Sequence, residues 1–164
     1  MKTHEVRVWP STEAHPREDE LAWKLATVAA DPVRVEAEVA ETIANRIIDN
    51  AAVALASAER APSAAARVQA LAHPRSGGAT LYGLGPEVRV EAEWAAWANG
   101  TAVRELDFHD TFLMAEYSHP GDNIPPLIAV AQQTGRGGGD LLRGIAAGYE
   151  IHIDLVKAIS LHAH

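Results

Sequence analysis

Cysteine is missing from this sequence of 164 residues, and its absence removes several kinds of chemistry. The chain can form no disulfide and no thiolate nucleophile, and its own cysteines cannot ligate zinc or an iron–sulfur cluster. A chain without cysteine is typical of reducing compartments, so we predict a cytoplasmic location.

Long apolar runs and an excess of basic residues are also missing. No stretch of about 18 apolar residues occurs, so we predict no transmembrane helix, and the polar N-terminal segment MKTHEVRVWPSTEAHPRED lacks the apolar centre of a secretory signal. The chain has 22 acidic and 14 basic residues, which give a net charge of -8. Phosphate backbones and anionic membranes repel such a surface, so we expect neither nucleic acid nor a membrane as a partner. An acidic small molecule could still bind at a local basic pocket.

Aromatic residues are scarce, at 5%, whereas apolar residues make up 48% of the chain. An alanine-rich core with few aromatic side chains is typical of closely packed helices, and the fold predicted is all-α. Residues 1–15 are predicted to form an N-terminal arm, and residues 16–164 an all-helical domain. About six helices are predicted, which start at residue 16, span 37–58, 61–72, 90–106 and 125–134, and start again at residue 140.

Helical periodicity is clearest in the second predicted helix, where apolar side chains recur four residues apart. Its predicted buried stripe consists of Val39, Ile43, Ile47 and Ala51, widened by Ile48 and Leu55. Corresponding positions elsewhere are Leu21, Trp23, Leu25 and Val28 in the first helix, Val68 and Leu71 in the third, Trp94, Trp97 and Val103 in the fourth, and Leu141, Ile145, Tyr149, Ile153 and Val156 in the sixth.

Two stretches are ambiguous. A glycine-bounded stretch at residues 80–84 is predicted to form a short strand or extended loop. Asn99-Gly100 is a turn signal inside the fourth helix, although small residues around it would also allow close helix packing. We predict a continuous helix there.

Side chains that transfer protons are concentrated in the segment ELDFHDTFLMAEYSHPGDNIPP. If residues 105–110 are the end of a helix, Asp107 and Thr111 are four residues apart and share a face, and His119 can fold back beside them. A carboxylate, a hydroxyl and an imidazole around one cavity can move protons and hold an oxyanion. The alternative interpretation is a solvated helix end, capped by the aspartate and the threonine.

Several neighbouring residues extend this candidate site. His109 and Asp110 are predicted to reach the same pocket and bind substrate, with a surface or supporting role as the alternative. A metal site would use His109, Asp110, His119 and Asp122. Because their spacing matches no zinc signature such as HExxH, we predict no metal. His162 and His164 are predicted to be unpaired in solvent.

Anionic groups of a substrate would need positive partners. Arg104, Arg143 and Lys157 are candidates, although most such residues form surface ion pairs of little energy. Asp122-Asn123 precedes a predicted helix, whose free N–H groups and dipole favour a carboxylate. We therefore include Asn123 and Lys157 among the substrate-binding candidates, with an ordinary N-cap as the alternative for Asn123.

Three strings, WAAWANGTAVRELDFHDTF, YSHPGDNIPPLIAVAQ and GYEIHIDLVKAISLHAH, resemble the N-terminal part of the MmgE/PrpD family, and more narrowly its 2-methylcitrate dehydratase branch. The resemblance implies a large all-helical domain, a smaller α/β domain and a homodimer. It also implies loss of water from 2-methylcitrate to give 2-methyl-cis-aconitate in propionate breakdown, without an iron–sulfur cluster or other cofactor. On the family's motif, Asp107, Thr111 and His119 are the implied catalytic residues.

The chain is much shorter than members of that family, whose further active-site groups lie downstream of the matching region. Its last helix, LVKAISLHAH, also has no C-terminal capping signal. We therefore expect an N-terminal portion with its C-terminal part missing. Two rival interpretations are a non-catalytic helical association fragment and a metal-dependent hydratase.

Overall fold

A computed structural model describes residues 7–32 and 34–160. The described residues form a mainly helical protein with six α-helices and four short strands. The helices are α1 (Leu21–Ala30), α2 (Ala37–Ala56), α3 (Ala61–Leu71), α4 (Ala92–Arg104), α5 (Ile124–Gln133) and α6 (Gly138–Ala158). The strands are β1 (Pro74–Thr80), β2 (Arg89–Val90), β3 (Phe112–Leu113) and β4 (Tyr117–Ser118). The chain divides between Pro32 and Arg34 into two compact units.

The N-terminal unit contains one short 3-10 turn, Arg17–Asp19, and helix α1. The turn, rather than an α-helix, follows Pro16, so the first helix begins later than predicted. Within this unit the rings of Trp9 and His15 stack with centroids 4.6 Å apart. No residue of α1 is buried. The predicted arm lies partly outside the described residues, because residues 1–6 are not among them.

The larger unit has an alanine-rich core, as the composition predicts. Seven of the nine buried residues in its main cluster are alanines, contributed by α3, β1, α4 and α5. Alanine carries only a methyl group, so neighbouring helix backbones can approach closely and still fill the space between them. A second cluster joins α2, α5 and α6 through Ile43, Ile124 and Ile145.

Several apolar positions predicted to be buried are exposed. The members of this group, with exposed fractions between 39% and 70%, are Leu21, Trp23, Val39, Ile48, Leu55, Val68, Leu71 and Trp97. Periodicity predicted one broad apolar stripe per helix. In the larger unit, the buried side of α2 is narrower than that stripe and includes Ile43 and Val53. Helix α3 buries only small residues.

The extended segment lies near its predicted place, although its strand comes earlier in the chain than residues 80–84. Strand β1 ends at Thr80 and pairs antiparallel with β2, and the loop from Leu81 onward follows it. The side chain of Asn99 explains how this segment is held. Its Oδ1 accepts a hydrogen bond from the backbone N–H of Tyr82 at 2.9 Å, and its Nδ2 donates to the Thr80 carbonyl at 3.0 Å. Helix α4 runs unbroken through Asn99 and Gly100, as predicted.

The candidate site lies in the segment between the end of α4 and the start of α5. Helix α4 ends at Arg104, two residues before the predicted end, so the prediction that residues 105–110 are helical is wrong. Strands β3 and β4 form a small hairpin, and a 3-10 turn, Pro120–Asn123, leads directly into α5. No helix in residues 7–32 and 34–160 has the length and apolar character that crossing a membrane requires.

Candidate functional site

Asp107 redirects the chain after α4. It is the residue outside glycine that has a positive φ in the described chain, at 55°, a conformation that aspartate tolerates better than most residues. The turn sends the Phe108 side chain outward, where it is 76% exposed, and brings His109 inward, where it is 4% exposed. Asp107 and Thr111 therefore do not share a helix face, which corrects the sequence prediction.

His109 lies in a polar, buried position between Arg104 and Asp122. Arg104 Nη1 is 3.0 Å from His109 Nε2, and Asp122 Oδ1 is 3.5 Å from the same nitrogen. Burial lowers the pKa of His109 below its ordinary value; the Asp122 and Asp110 carboxylates oppose this shift, and the nearby His119 and Arg104 side chains add to it. Because arginine can only donate, Nε2 accepts and His109 is neutral.

His119 is held through one ring nitrogen. Its Nδ1 lies 3.0 Å from the carbonyl oxygen of Asp110 and 3.3 Å from the hydroxyl of Thr111. A carbonyl oxygen can only accept, so Nδ1 carries a hydrogen, and in the neutral ring the lone pair is then on Nε2. The His109 and His119 rings also lie close together, with centroids 4.4 Å apart. The fold thus directs Nδ1 of His119 to the Asp110 carbonyl and leaves Nε2 as the nitrogen that can accept a proton when the ring is neutral.

Asp107 completes this group despite its irregular backbone. One potential ligand atom from each of Asp107, His109 and His119 lies within 4.8 Å of the other two. Such a set could hold a metal ion, but it differs from the metal set considered from the sequence, since Asp107 takes the place of Asp110 and Asp122. The guanidinium of Arg104 lies 3.0 Å from His109, one of the three side chains, and a positive charge so close to a ligand disfavours a metal.

Asp110 lies beside the group with both carboxylate oxygens engaged. Oδ1 accepts from the backbone N–H of Gly121 at 2.8 Å, and Oδ2 accepts from the Tyr149 hydroxyl at 2.7 Å. On the other side of the turn, Asn50 Nδ2 donates to the Gly121 carbonyl at 3.0 Å. These bonds connect α2 and α6 to the loop that carries the site.

The other predicted binding residues have separate environments. Asn123 occupies the N-cap position of α5, but its side chain makes no capping hydrogen bond. Its Nδ2 instead contacts the Pro120 carbonyl at 2.9 Å and His152 Nδ1 at 3.0 Å. Lys157 Nζ lies 3.4 Å from Asp154 and 5.9 Å from the centroid of the Phe112 ring. These contacts do not bring Asn123 or Lys157 to the His119 imidazole.

The anion-binding candidates also differ in their surroundings. Arg104 reaches the site, since it also lies 3.4 Å from Asp122. Arg143 instead forms a surface ion pair with Asp140 at 2.8 Å. His162 and His164 lie outside the described residues.

Unsatisfied polar atoms concentrate near the site. Among the described residues, four buried side-chain atoms have no hydrogen-bond partner: Asn50 Oδ1, His109 Nδ1, Ser118 Oγ and Asp122 Oδ1. Native proteins pair nearly all buried polar groups, so such a concentration is typical of a functional site. Sequence analysis did not identify Asn50, and it treated Tyr149 only as a packing residue. Both act through contacts between residues far apart in sequence, for which no local pattern gives a signal.

Comparison with known proteins shows which family this chain is similar to. Residues 19–164 match the family model for the MmgE/PrpD N-terminal domain. A 2-methylcitrate dehydratase from Cupriavidus necator is 35% identical over 81 residues, which is 49% of this chain and 16% of that protein. A probable 2-methylcitrate dehydratase from Saccharomyces cerevisiae is 40% identical over 53 residues, 32% of this chain and 10% of that protein.

A third relative shows the same partial coverage. The 2-methylcitrate dehydratase of Salmonella typhimurium is 38% identical over 52 residues, 32% of this chain and 11% of that protein. The chain therefore spans only a small part of the length of the curated relatives it matches. No solved structure matches. Because the family model covers most of the chain, including every residue of the site described above, this chain belongs to the MmgE/PrpD family.

Proposed function

We propose that this chain is the N-terminal domain of a hydro-lyase that removes water from 2-methylcitrate to give 2-methyl-cis-aconitate, a 2-methylcitrate dehydratase of propionate catabolism. We take the substrate from the names of the relatives, which are called 2-methylcitrate dehydratases. The observation that carries the chemistry is the orientation of His119. Its Nδ1 is occupied by the Asp110 carbonyl at 3.0 Å, which leaves Nε2 as a proton acceptor.

β-Elimination of water moves one proton from carbon to a base and requires a second transfer to the departing hydroxyl. In our proposal His119 Nε2 takes the carbon-bound proton, the C–O bond breaks, and a double bond forms between the two carbons. The resulting imidazolium carries a proton that it can supply to the hydroxyl, which leaves as water. Asp107 lies close enough to His119 to stabilise the imidazolium while it exists.

Thr111 and Arg104 are proposed to orient the substrate. Thr111 Oγ1 can share the His119 Nδ1–H with the nearer Asp110 carbonyl, so the threonine hydroxyl keeps its own hydrogen available for a substrate hydroxyl or carboxylate. Arg104, whose side chain is 47% exposed, supplies positive charge for a carboxylate. The predicted binding roles of His109, Asp110, Asn123 and Lys157 remain proposals. His109 would act next to His119, since the two ring centroids are 4.4 Å apart.

The site has more acidic than basic side chains, so a tricarboxylate substrate would need further positive groups. Asp107, Asp110 and Asp122 surround the two histidines, whereas Arg104 is the cation that contacts them within the described residues. A substrate with three carboxylates would therefore bind better with additional positive side chains nearby. We also propose a homodimer and a reaction without cofactor, as the family resemblance implies, and a cytoplasmic location, as the absence of cysteine predicts.

The substrate is tested by incubating the folded chain with 2-methylcitrate and, separately, with citrate, and following both by proton NMR. We expect an alkene product to form faster from 2-methylcitrate than from citrate. Asp107→Asn should slow this reaction, and the matched control Asp140→Asn, which alters only a surface ion pair, should not. A helical chain that converts citrate as fast as 2-methylcitrate, or whose Asp107→Asn variant works as fast as the wild type, would contradict the proposal.

The rival function is that of a non-catalytic association fragment, and one observation favours it. Large apolar side chains are exposed around the β3–β4 hairpin, including Leu113 at 73%, Met114 at 63% and Tyr117 at 65%. Exposed apolar groups of this kind are typical of an interface. Sedimentation that shows obligate assembly, together with an absence of any turnover, would favour this rival.

A further inference from the structure

We propose that Asp110 and Tyr149 are positioning residues that hold the His119 imidazole in its Nδ1–H tautomer, with the hydrogen bond from Tyr149 acting through Asp110. The inference rests on the proposed function for its catalytic meaning. The geometry itself concerns the orientation of one side chain and can be tested without any reaction.

Asp110 contacts the His119 turn from two directions. Its backbone carbonyl accepts from His119 Nδ1 at 3.0 Å, and its carboxylate accepts from the backbone N–H of Gly121, two residues after His119, at 2.8 Å. One residue therefore fixes both the ring of His119 and the backbone that follows it. A shift of the Asp110 side chain would move the turn relative to the carbonyl that orients the ring.

Gly121 shows how closely this contact is fitted. A Cβ built on Gly121 would overlap the Oδ1 atom of Asp110. The glycine is itself buried, and its carbonyl accepts from Asn50 on α2. Only a residue without a side chain allows the carboxylate to reach the N–H group at this distance.

Tyr149 holds the other oxygen of Asp110 from α6. The phenol donates to Oδ2 at 2.7 Å. Burial, followed by the hydrogen bond to Asp110, raises the pKa of Tyr149 above its ordinary value, so the phenol keeps its hydrogen. A bond from a neutral donor to a carboxylate is shorter and stronger than one between two neutral groups. The hydroxyl thus fixes the carboxylate in the rotamer that also reaches Gly121.

The consequence for His119 is a defined tautomer. Because Nδ1–H points to the Asp110 carbonyl, the proton-accepting lone pair is on Nε2. Loosening Asp110 would let the ring rotate or exchange its hydrogen between the two nitrogens. A base with the wrong tautomer would present a hydrogen where the reaction needs a lone pair.

The test is nitrogen-15 NMR of the histidine rings in the full chain, at a pH where the imidazoles are neutral, with His119 assigned from the spectrum of His119→Ala. In the wild-type chain we expect His119 to be protonated at Nδ1. In Tyr149→Phe, which removes only the hydroxyl, the ratio of the Nδ1–H to the Nε2–H form should fall about twofold or more, the low end for residues that share one hydrogen-bond network. Tyr82→Phe is the matched control, because Tyr82 packs in a different cluster, against Ala54, Ala102 and Val103, and should leave the ratio unchanged.

A second variant covers the case in which Asp110 finds another donor. Gly121→Ala should displace the Asp110 carboxylate and lower the same ratio, provided that the circular-dichroism spectrum remains helical. If both folded variants keep the wild-type ratio, or if wild-type His119 is protonated at Nε2, the inference is overturned. If the ratio changes as expected but no variant of His119 affects turnover, the positioning relationship holds and the proposed catalytic function fails.

Discussion

Arg104 donates a hydrogen bond to His109 over 3.0 Å, from Nη1 to Nε2, and this fixes a buried histidine in its neutral form. The relationship joins the last residue of α4 to the first buried residue after it. It also places a permanent positive charge next to a side chain that would otherwise gain a proton in mildly acidic solution.

The first prediction concerns the pH dependence of folding. The folded state lowers the pKa of His109 and so favours the neutral ring. The contribution of His109 to the stability of the folded state is therefore complete above the ordinary histidine pKa of about 6.5. It is lost as the pH falls below that value towards the folded pKa, because the unfolded chain then binds the proton first. His109 should add at most about 1.4 kcal/mol per pH unit to the slope of the free energy of unfolding.

Urea unfolding of the wild-type chain and of His109→Asn, between neutral and mildly acidic pH, measures this slope. The other histidines contribute to both proteins, so the difference between the two slopes reports His109. Equal slopes would show that His109 is not held neutral.

The second prediction compares two neighbouring residues of α4. Asn99→Ala leaves the Tyr82 N–H and the Thr80 carbonyl without their partner and should lower the free energy of unfolding by about 2 kcal/mol or more. Gly100→Ala is the matched control, because a Cβ there would meet no atom within 4 Å, and it should stabilise the helix by up to about 1 kcal/mol. Thermal unfolding checks both, and equal effects would refute the bridging role of Asn99.

Much of the helical frame could be predicted from the sequence. Periodicity identified α2 through Ile43, and the Pro and Gly signals identified the boundaries of α3 and α5. The composition predicted the alanine core. These features depend on residues near one another in the chain, where local preferences act in the same direction as the tertiary structure.

The structure of the site could be predicted only in part. Asp107, Thr111 and His119 were identified together and do lie close together, but the reason given was wrong, because a left-handed Asp107 replaces the expected helical turn. The contacts of Asn50 with Gly121 and of Tyr149 with Asp110 join residues 71 and 39 positions apart. Such contacts depend on how the helices pack, and no local spacing in the sequence encodes them.

The third prediction concerns metal ions. Although Asp107, His109 and His119 lie close enough to share an ion, the Arg104 guanidinium beside His109 opposes one. We expect turnover and the thermal midpoint to be unchanged after dialysis against a chelator. A loss of either that zinc or magnesium restores would favour a metal-dependent hydratase and contradict the account.

The fourth prediction concerns Thr111. Thr111→Val removes the hydroxyl and keeps the shape of the side chain. Because Thr111 is exposed, the free energy of unfolding should change by no more than about 0.5 kcal/mol. The value of kcat/KM should fall about tenfold or more, as for loss of a hydrogen bond to a charged group. Thr134→Val, at the end of α5, is the control and should leave kcat/KM unchanged; equal values for the two variants would remove Thr111 from the site.

The central claim is that His119 is the proton acceptor in the dehydration of 2-methylcitrate, and the rate of product formation by wild type and His119→Ala tests it most directly. His73→Ala is the matched control. His73 stacks on Trp94, with ring centroids 3.9 Å apart, and is not among the side chains of the site, Asp107, His109 and His119. We predict that His119→Ala lowers the rate by about a hundredfold or more, with His73→Ala at the wild-type rate. A folded His119→Ala chain that works as fast as wild type would contradict the claim.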